Sequence, residues 1–293
     1  MYYYHNVYGY NVKSVINLYF LSSKSIENKK ASIEIEEIFI CKFNNKYKSD
    51  TINLKEIFLY RKNLCNFYIT DQGSKIYFLR HDNSITDKDI AKSIINSAFG
   101  YCLYQMKHNV LHASAIEHDG KAVLFLGSSG SGKSSLAASL NKKLITEDVA
   151  CIENKNHRFL IKNGPPFVKL DKKIANLLEL KKFSKINNDR LGRNLYYINQ
   201  SNRKYTEIKC IYFLSWGKSF SINDLSSKET IACFLTNSYS AFPYNSCTSS
   251  SKISMLFINE ITKKYKIYLI QRNKDSFFDS NNEILDHIAL NAI

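Results

Sequence analysis

Apolar residues along this chain recur at two different periods, and the changes between them mark out its elements. Within residues 1–80 they partly alternate with polar ones, as in 32–40 and 75–79, and β-branched and aromatic side chains are prominent. That period of two is the mark of half-buried strands. Asn44-Asn45, Asp71-Gln72-Gly73 and Asp82-Asn83 supply the turns between them. Over 87–108 the period lengthens, and Ile90, Ile94, Ala98 and Tyr101 fall on one side of a predicted helix. Thr86, with Asp89 three residues on, predicts its N-cap and capping box. Runs at 110–116 and 121–126 then predict a hairpin closed by Asp119-Gly120, a dipeptide suited to the positive φ of a tight turn. Short strands follow at 143–146 and 149–152. Gly164-Pro165-Pro166 breaks the chain, 167–170 follows the break, and 171–182 predicts a helix. Further strands are expected at 208–215 and 266–270, and the serine tract 246–251 reads as a loop.

Between the strand 122–126 and the helical run 135–140 lies Gly127-Ser128-Ser129-Gly130-Ser131-Gly132-Lys133-Ser134, followed by Ser135. A strand–loop–helix setting separates a phosphate-binding loop from a glycine–serine linker. The glycines let backbone N–H groups turn inward around a polyphosphate without a Cβ clash. The helix that follows presents its positive end to the same anion. Lys133 is placed to reach the outer phosphates, and the Ser134 hydroxyl to sit on magnesium. ATP and Mg2+ are therefore the expected cofactors.

Composition narrows the class. With 293 residues, 44% of them hydrophobic, the chain can bury a full core. No apolar run is long enough to span a bilayer, and residues 1–5 lack the basic-then-apolar pattern of a signal peptide. The expectation is a cytoplasmic protein with no membrane partner. The seven cysteines are scattered without a Cys-x-x-Cys pair, which reads as free thiols rather than a zinc or redox site. The net charge of +15 arises from 41 Lys and Arg against 26 Asp and Glu, but the lysines are dispersed and form no block. Dispersal argues against a nucleic-acid partner and leaves room for an acidic peptide.

Phosphoryl transfer asks for charge neutralisation, in-line positioning and a proton acceptor. Glu147-Asp148 closes the strand at 143–146, fifteen residues after Lys133, and that strand is expected beside the loop strand. Carboxylates at the carboxyl ends of strands face the ligand crevice of α/β sheets. One can position magnesium while the other accepts a proton; the plainer alternative is a solvated acidic turn. His112 is expected on the strand paired with the loop strand, followed by small residues that admit a ligand, the alternative being a structural histidine.

These residues carry a resemblance. Leu111-His112-Ala113-Ser114-Ala115, the Asp119-Gly120 turn, the loop and Leu144-Ile145-Thr146-Glu147-Asp148-Val149 resemble the catalytic domain of the HPr serine kinase/phosphorylase family. The pattern is most similar to HPr-kinase-like enzymes that act on ribosomal peptide precursors, lasso-peptide precursors among them. The wider fold group includes ATP-dependent phosphoenolpyruvate carboxykinase. Residues 164–170 are similar to a segment these relatives carry after the catalytic core.

The resemblance implies an α/β P-loop fold over 108–293; residues 1–107, which it does not reach, read from their own pattern as a β-rich N-terminal domain ending in the long helix and suited to substrate recognition. It implies that Asp148 takes the proton from a substrate serine, that His112 lies near the transferred phosphoryl group, and that Lys133 with the loop amides holds the phosphates. Ser134 and Glu147 would hold the metal. Where the family has paired aspartates, this chain has Glu147 first, and the arginine-rich loop of the true HPr kinases has no counterpart. Arg190 and Arg193 are the nearest candidates for gripping a phosphate or an acidic substrate. The expected activity is an ATP-dependent serine kinase acting on a peptide or small protein, with homo-oligomerisation open. The alternatives are a small-molecule or carboxykinase-like enzyme, and a P-loop ATPase or transport module, whose signature sequence is absent.

Overall fold

In a computed structural model, the described residues are 1–19, 21, 30–38, 50–52, 56–181, 193–239, 249–276 and 278–291. The chain divides into two compact units, one formed by 1–110 with 239–252 and the other by 111–238 with 253–293.

The first unit carries a seven-stranded sheet of β1 (Tyr3–Val7), β2 (Tyr10–Ser14), β3 (Ile33–Glu37), β4 (Thr51–Ile52), β5 (Ile57–Arg61), β6 (Cys65–Thr70) and β7 (Lys75–Arg80), in the order β1-β2-β3-β7-β6-β5-β4. The alternation in the sequence becomes alternation in burial. Cys65, Phe67 and Ile69 of β6 and Ile76 and Phe78 of β7 are fully buried, while their neighbours face outward. The helical stretch starts where Thr86 caps Asp89, completing the capping box. It is interrupted: α1 (Asp87–Ser93) runs through a π turn at Ile94–Ala98 into α2 (Phe99–Gln105), which stops three residues short of the expected end. The extra residue per turn shifts the helix phase, yet Ile90, Ile94 and Ala98 all stay buried.

The second unit is α/β. Its strands are β8 (Asn109–Leu111, starting just before the boundary), β9 (Ala113–His118), β10 (Lys121–Leu126), β11 (Lys143–Thr146), β12 (Ala150–Lys155), β13 (Arg158–Lys162), β14 (Phe167–Leu170), β15 (Asn194–Tyr197), β16 (Tyr205–Trp216), β17 (Ser221–Asp224) and β18 (Ile267–Arg272). Its helices are α3 (Lys133–Ser139), α4 (Lys172–Leu177), α5 (Ser227–Asn237), α6 (Ser249–Lys264, its first four residues assigned to the first unit) and α7 (Asn281–Leu290). The hairpin β9–β10 forms as expected, with Asp119 and Gly120 both at positive φ (51° and 74°). β10 pairs in parallel with β16, and β16 in parallel with β18.

Successive residues of β10 pack to opposite sides. Ala122, Leu124 and Leu126 join a core with Phe234 of α5 and Ile258 and Ile261 of α6. Val123 and Phe125 join another with Leu136 of α3 and Ile284 and Ile288 of α7. A strand covered on both faces reads as an unbroken apolar run, which is why 122–126 stands out in the sequence. Among the described residues, no helix is long and apolar enough to cross a membrane.

Several expectations change. The run 110–116 is two strands, β8 and β9, with a bend at His112. β11 pairs with β9 rather than with the loop strand, because the hairpin places β9 between them. The helix at 171–182 shortens to α4, capped by Asp171 through the Lys173 N–H. Residues 249–251 of the serine tract begin α6, and 246–248 lie outside the described residues.

Candidate active site

The phosphate loop leaves β10 at Gly127 and enters α3 at Lys133. Gly127, Gly130 and Gly132 adopt φ of 144°, 83° and 84°, a region in which ordinary side chains are strained, so glycine suits the backbone there. Ser128, Ser129 and Gly130 are exposed at the turn, Ser131 is buried, and Ser134 and Ser135 are half-buried on the first turn of α3. Ser131 N–H donates to Ser128 O at 3.1 Å and closes the loop. Lys133 curls back so that Nζ donates to Gly127 O (2.7 Å) and Ser128 O (3.2 Å). Burial lowers the Lys133 pKa, and the nearby Asp148 and Glu147 oppose that shift. α3 is only about two turns long, so the loop's own amides supply most of any anion cradle.

Glu147 and Asp148 follow β11 directly. Ser134 Oγ donates to Glu147 Oε1 at 2.5 Å. Glu147 is buried, and its Oε2 has no hydrogen-bond partner among the described residues. Burial, aided by the charge of Asp148, pushes its pKa up to about 7. A hydroxyl and a carboxylate with a spare buried oxygen are hard-oxygen donors of the kind magnesium takes. The residues therefore fit a divalent cation. Among the described residues, no group of three or more His, Cys, Asp and Glu gathers for a metal.

Asp148 sits at φ 62°, in the left-handed region. Its Oδ2 accepts from Lys169 Nζ at 2.6 Å, and its Oδ1 lies 3.3 Å from His112 Nε2. Burial alone would favour the neutral acid, but Lys169 and then His112 outweigh it and hold the carboxyl well below the usual carboxylate range. Burial likewise works against the Lys169 charge, and Asp148 with Glu147 more than offsets it, leaving the Lys169 pKa raised.

His112 is thus brought to Asp148 by the bend between β8 and β9, and a second residue fixes that bend. His112 N–H donates to Asn237 O at 2.7 Å, and Asn237 Oδ1 accepts from Gly127 N–H at 3.2 Å. Asn237, the buried last residue of α5, ties the histidine to the start of the loop.

Arg193 lies just before β15, where its charge is felt by Lys169 on the paired strand β14. Arg190 lies outside the described residues. The structure therefore gathers Lys133, Ser134, Glu147, Asp148 and His112 and adds Lys169 and Asn237, which sequence reasoning missed. Lys169 left a signal, as the one cation in the otherwise apolar strand 167–170; Asn237 left none. Among the described residues five cysteines are free thiols: Cys65, Cys102, Cys151 and Cys210 are buried and Cys233 is half-buried; Cys41 and Cys247 lie outside the described residues. A cavity of about 660 Å³, lined by Glu117, Lys142, Lys143 and Tyr197, contains none of the candidate site residues.

The phosphoenolpyruvate carboxykinase family model matches residues 87–240, a span that holds every site residue named above. No curated protein matches. Among solved structures, the HPr(Ser) kinase/phosphatase from Coxiella burnetii matches with 10% identity and a TM-score of 0.32, covering 62% of this chain and 97% of that one.

Proposed function

We propose, from the premise that this chain belongs to the phosphoenolpyruvate carboxykinase family, that it is an ATP-dependent kinase transferring the γ-phosphoryl group to a serine hydroxyl. The acceptor is a peptide or small protein, with a ribosomal peptide precursor as the substrate class. The observation that carries the reading is the placement of Asp148, ionised and hydrogen-bonded to Lys169 and His112, one residue beyond the Glu147 that meets Ser134 of the phosphate loop.

Lys133 exchanges the carbonyls of Gly127 and Ser128 for phosphate oxygens, and its charge stabilises the outer phosphates. Ser134 and Glu147 would hold magnesium, which would supply neutralisation of charge on the phosphate oxygens. The serine oxygen bonds to the γ-phosphorus as the bond to the β-γ bridging oxygen breaks, giving ADP and phosphoserine. The serine proton passes to Asp148. A carboxylate whose pKa is lowered is a weaker base, which suits a loose transition state in which little proton transfer is needed early. His112 and Lys169 fix the carboxylate's direction, and Arg193 supports an acidic acceptor segment.

The test uses γ-labelled ATP and magnesium with a peptide extract of the host, comparing the wild-type chain with Asp148→Asn. The expected result is label on a peptide serine, reduced about 10²- to 10⁴-fold in the variant while ADP binding persists. Label released only as inorganic phosphate, equally by both proteins, would refute the kinase reading. The family match also favours a second reading, a metabolite acceptor, which the same assay reveals as label on a small molecule.

A further inference from the structure

Three parallel strands end together at the phosphate loop. β10 runs into it at Leu126, β16 ends at Trp216, and β18 ends at Arg272, directly opposite Trp216 in the register. Trp216 Nε1–H donates to Gly130 O at 2.8 Å. Arg272, fully buried, donates through Nη2 to Ser131 O at 3.0 Å and Gly132 O at 3.4 Å, with its guanidinium 5.0 Å from the centre of the Trp216 ring. Three consecutive loop carbonyls are therefore engaged by side chains from two distant strands. A trans peptide plane points its C=O and the following N–H in opposite directions, and the described chain has no cis bond. Drawing the carbonyls of Ser131 and Gly132 toward Arg272 turns the N–H groups of Gly132 and Lys133 to the other side. The fit is close: a Cβ on Gly132 would stand 2.7 Å from Arg272 Nη2 and 3.0 Å from the Trp216 ring.

We infer that Arg272 and Trp216 are positioning residues that preset the phosphate loop for a nucleotide polyphosphate. They clamp its carbonyls outward before the ligand arrives, so that binding free energy is not spent on ordering the loop. The inference rests on the phosphotransfer reading of the same loop, and neither residue touches the reacting atoms.

The experiment is calorimetric titration of the full chain with ADP and magnesium, with circular dichroism to confirm folding. Trp216→Phe keeps an aromatic ring and removes the N–H donor, and the ADP Kd should weaken about 3- to 10-fold. Arg272→Met should weaken it by roughly 10-fold or more, because its hydrogen bonds are charge-assisted, and Arg272→Lys should recover part of the loss. Phe234→Leu, a core change in the same unit, should lower thermal stability and leave the Kd unchanged, separating loop positioning from general destabilisation. Folded Trp216→Phe and Arg272→Met proteins with wild-type Kd would overturn the inference. If Arg272→Met does not fold, Trp216→Phe decides alone. A wild-type chain that binds no ADP would overturn the phosphotransfer reading together with this inference, whereas wild-type binding with indifferent variants overturns the inference only.

Discussion

Replacing Lys169 with methionine removes the ammonium that lies 2.6 Å from Asp148 Oδ2, and both side chains are largely buried, at 11% and 15% exposure. Removing one partner of a buried ion pair costs roughly 3–5 kcal/mol, because the other charge is left without compensation. Asp148 keeps His112 at 3.3 Å, so the lower end, about 3 kcal/mol, is expected. In the double variant Lys169→Met/Asp148→Asn no uncompensated charge remains. Its loss should therefore fall short of the sum of the two single losses by about 2 kcal/mol, within the range of coupling between contacting residues. Urea unfolding measures this cleanly, because Trp216 is the only tryptophan and lies in the unit that holds the pair. Single losses that add to within about 0.5 kcal/mol, or a Lys169→Met cost below about 1 kcal/mol, would refute the claim that Lys169 is what keeps Asp148 ionised.

Three further outcomes are expected. Glu147→Gln removes the carboxylate that meets Ser134, so the magnesium concentration needed for half-maximal ADP binding should rise roughly tenfold or more; an unchanged requirement in calorimetric titration would place the cation elsewhere. Gly132→Ala and Gly130→Ala both force a side chain to φ near 84°, at about 1–2 kcal/mol of backbone strain, but only Gly132 meets Arg272 and Trp216, while Gly130 faces open space. Unfolding curves should therefore show the Gly132 variant clearly less stable, and equal losses would count against the close packing there. In the first unit His5 is buried and accepts the Leu18 N–H, and burial, opposed by a weaker backbone hydrogen bond to Leu21, lowers its pKa to about 4. The unfolded chain then binds the proton first as pH falls from 6.5 towards 4, so stability should drop by at most about 2 kcal/mol between pH 8 and pH 5. Circular dichroism on wild type and His5→Gln should show that part of the slope disappearing in the variant.

Much of the site was legible because its chemistry is written in contiguous residues. Glycines at 127, 130 and 132 are needed for backbone angles that other residues resist, and Lys133 and Ser134 follow them at fixed offsets, so the loop announces itself before any fold is known. Asp119-Gly120 specifies its turn, Thr86 and Asp89 their helix start, and Glu147-Asp148 the end of a strand, all through interactions spanning only a few residues. The unbroken apolar run 122–126 declared a strand covered on both faces.

Contacts between distant segments were not legible, because they depend on which strands pair. A run of alternating residues does not state its neighbours, so nothing local placed β9 between β10 and β11. The bend at His112 is set by Asn237, more than a hundred residues away, through one backbone hydrogen bond. Lys169 reaches Asp148 from 21 positions along the chain, and Arg272 reaches Ser131 from 141. Local chemistry thus determined what the loop can grip. The parallel pairing of β10, β16 and β18 decided which side chains stand around it, because pairing energy is collected only when segments far apart in sequence meet.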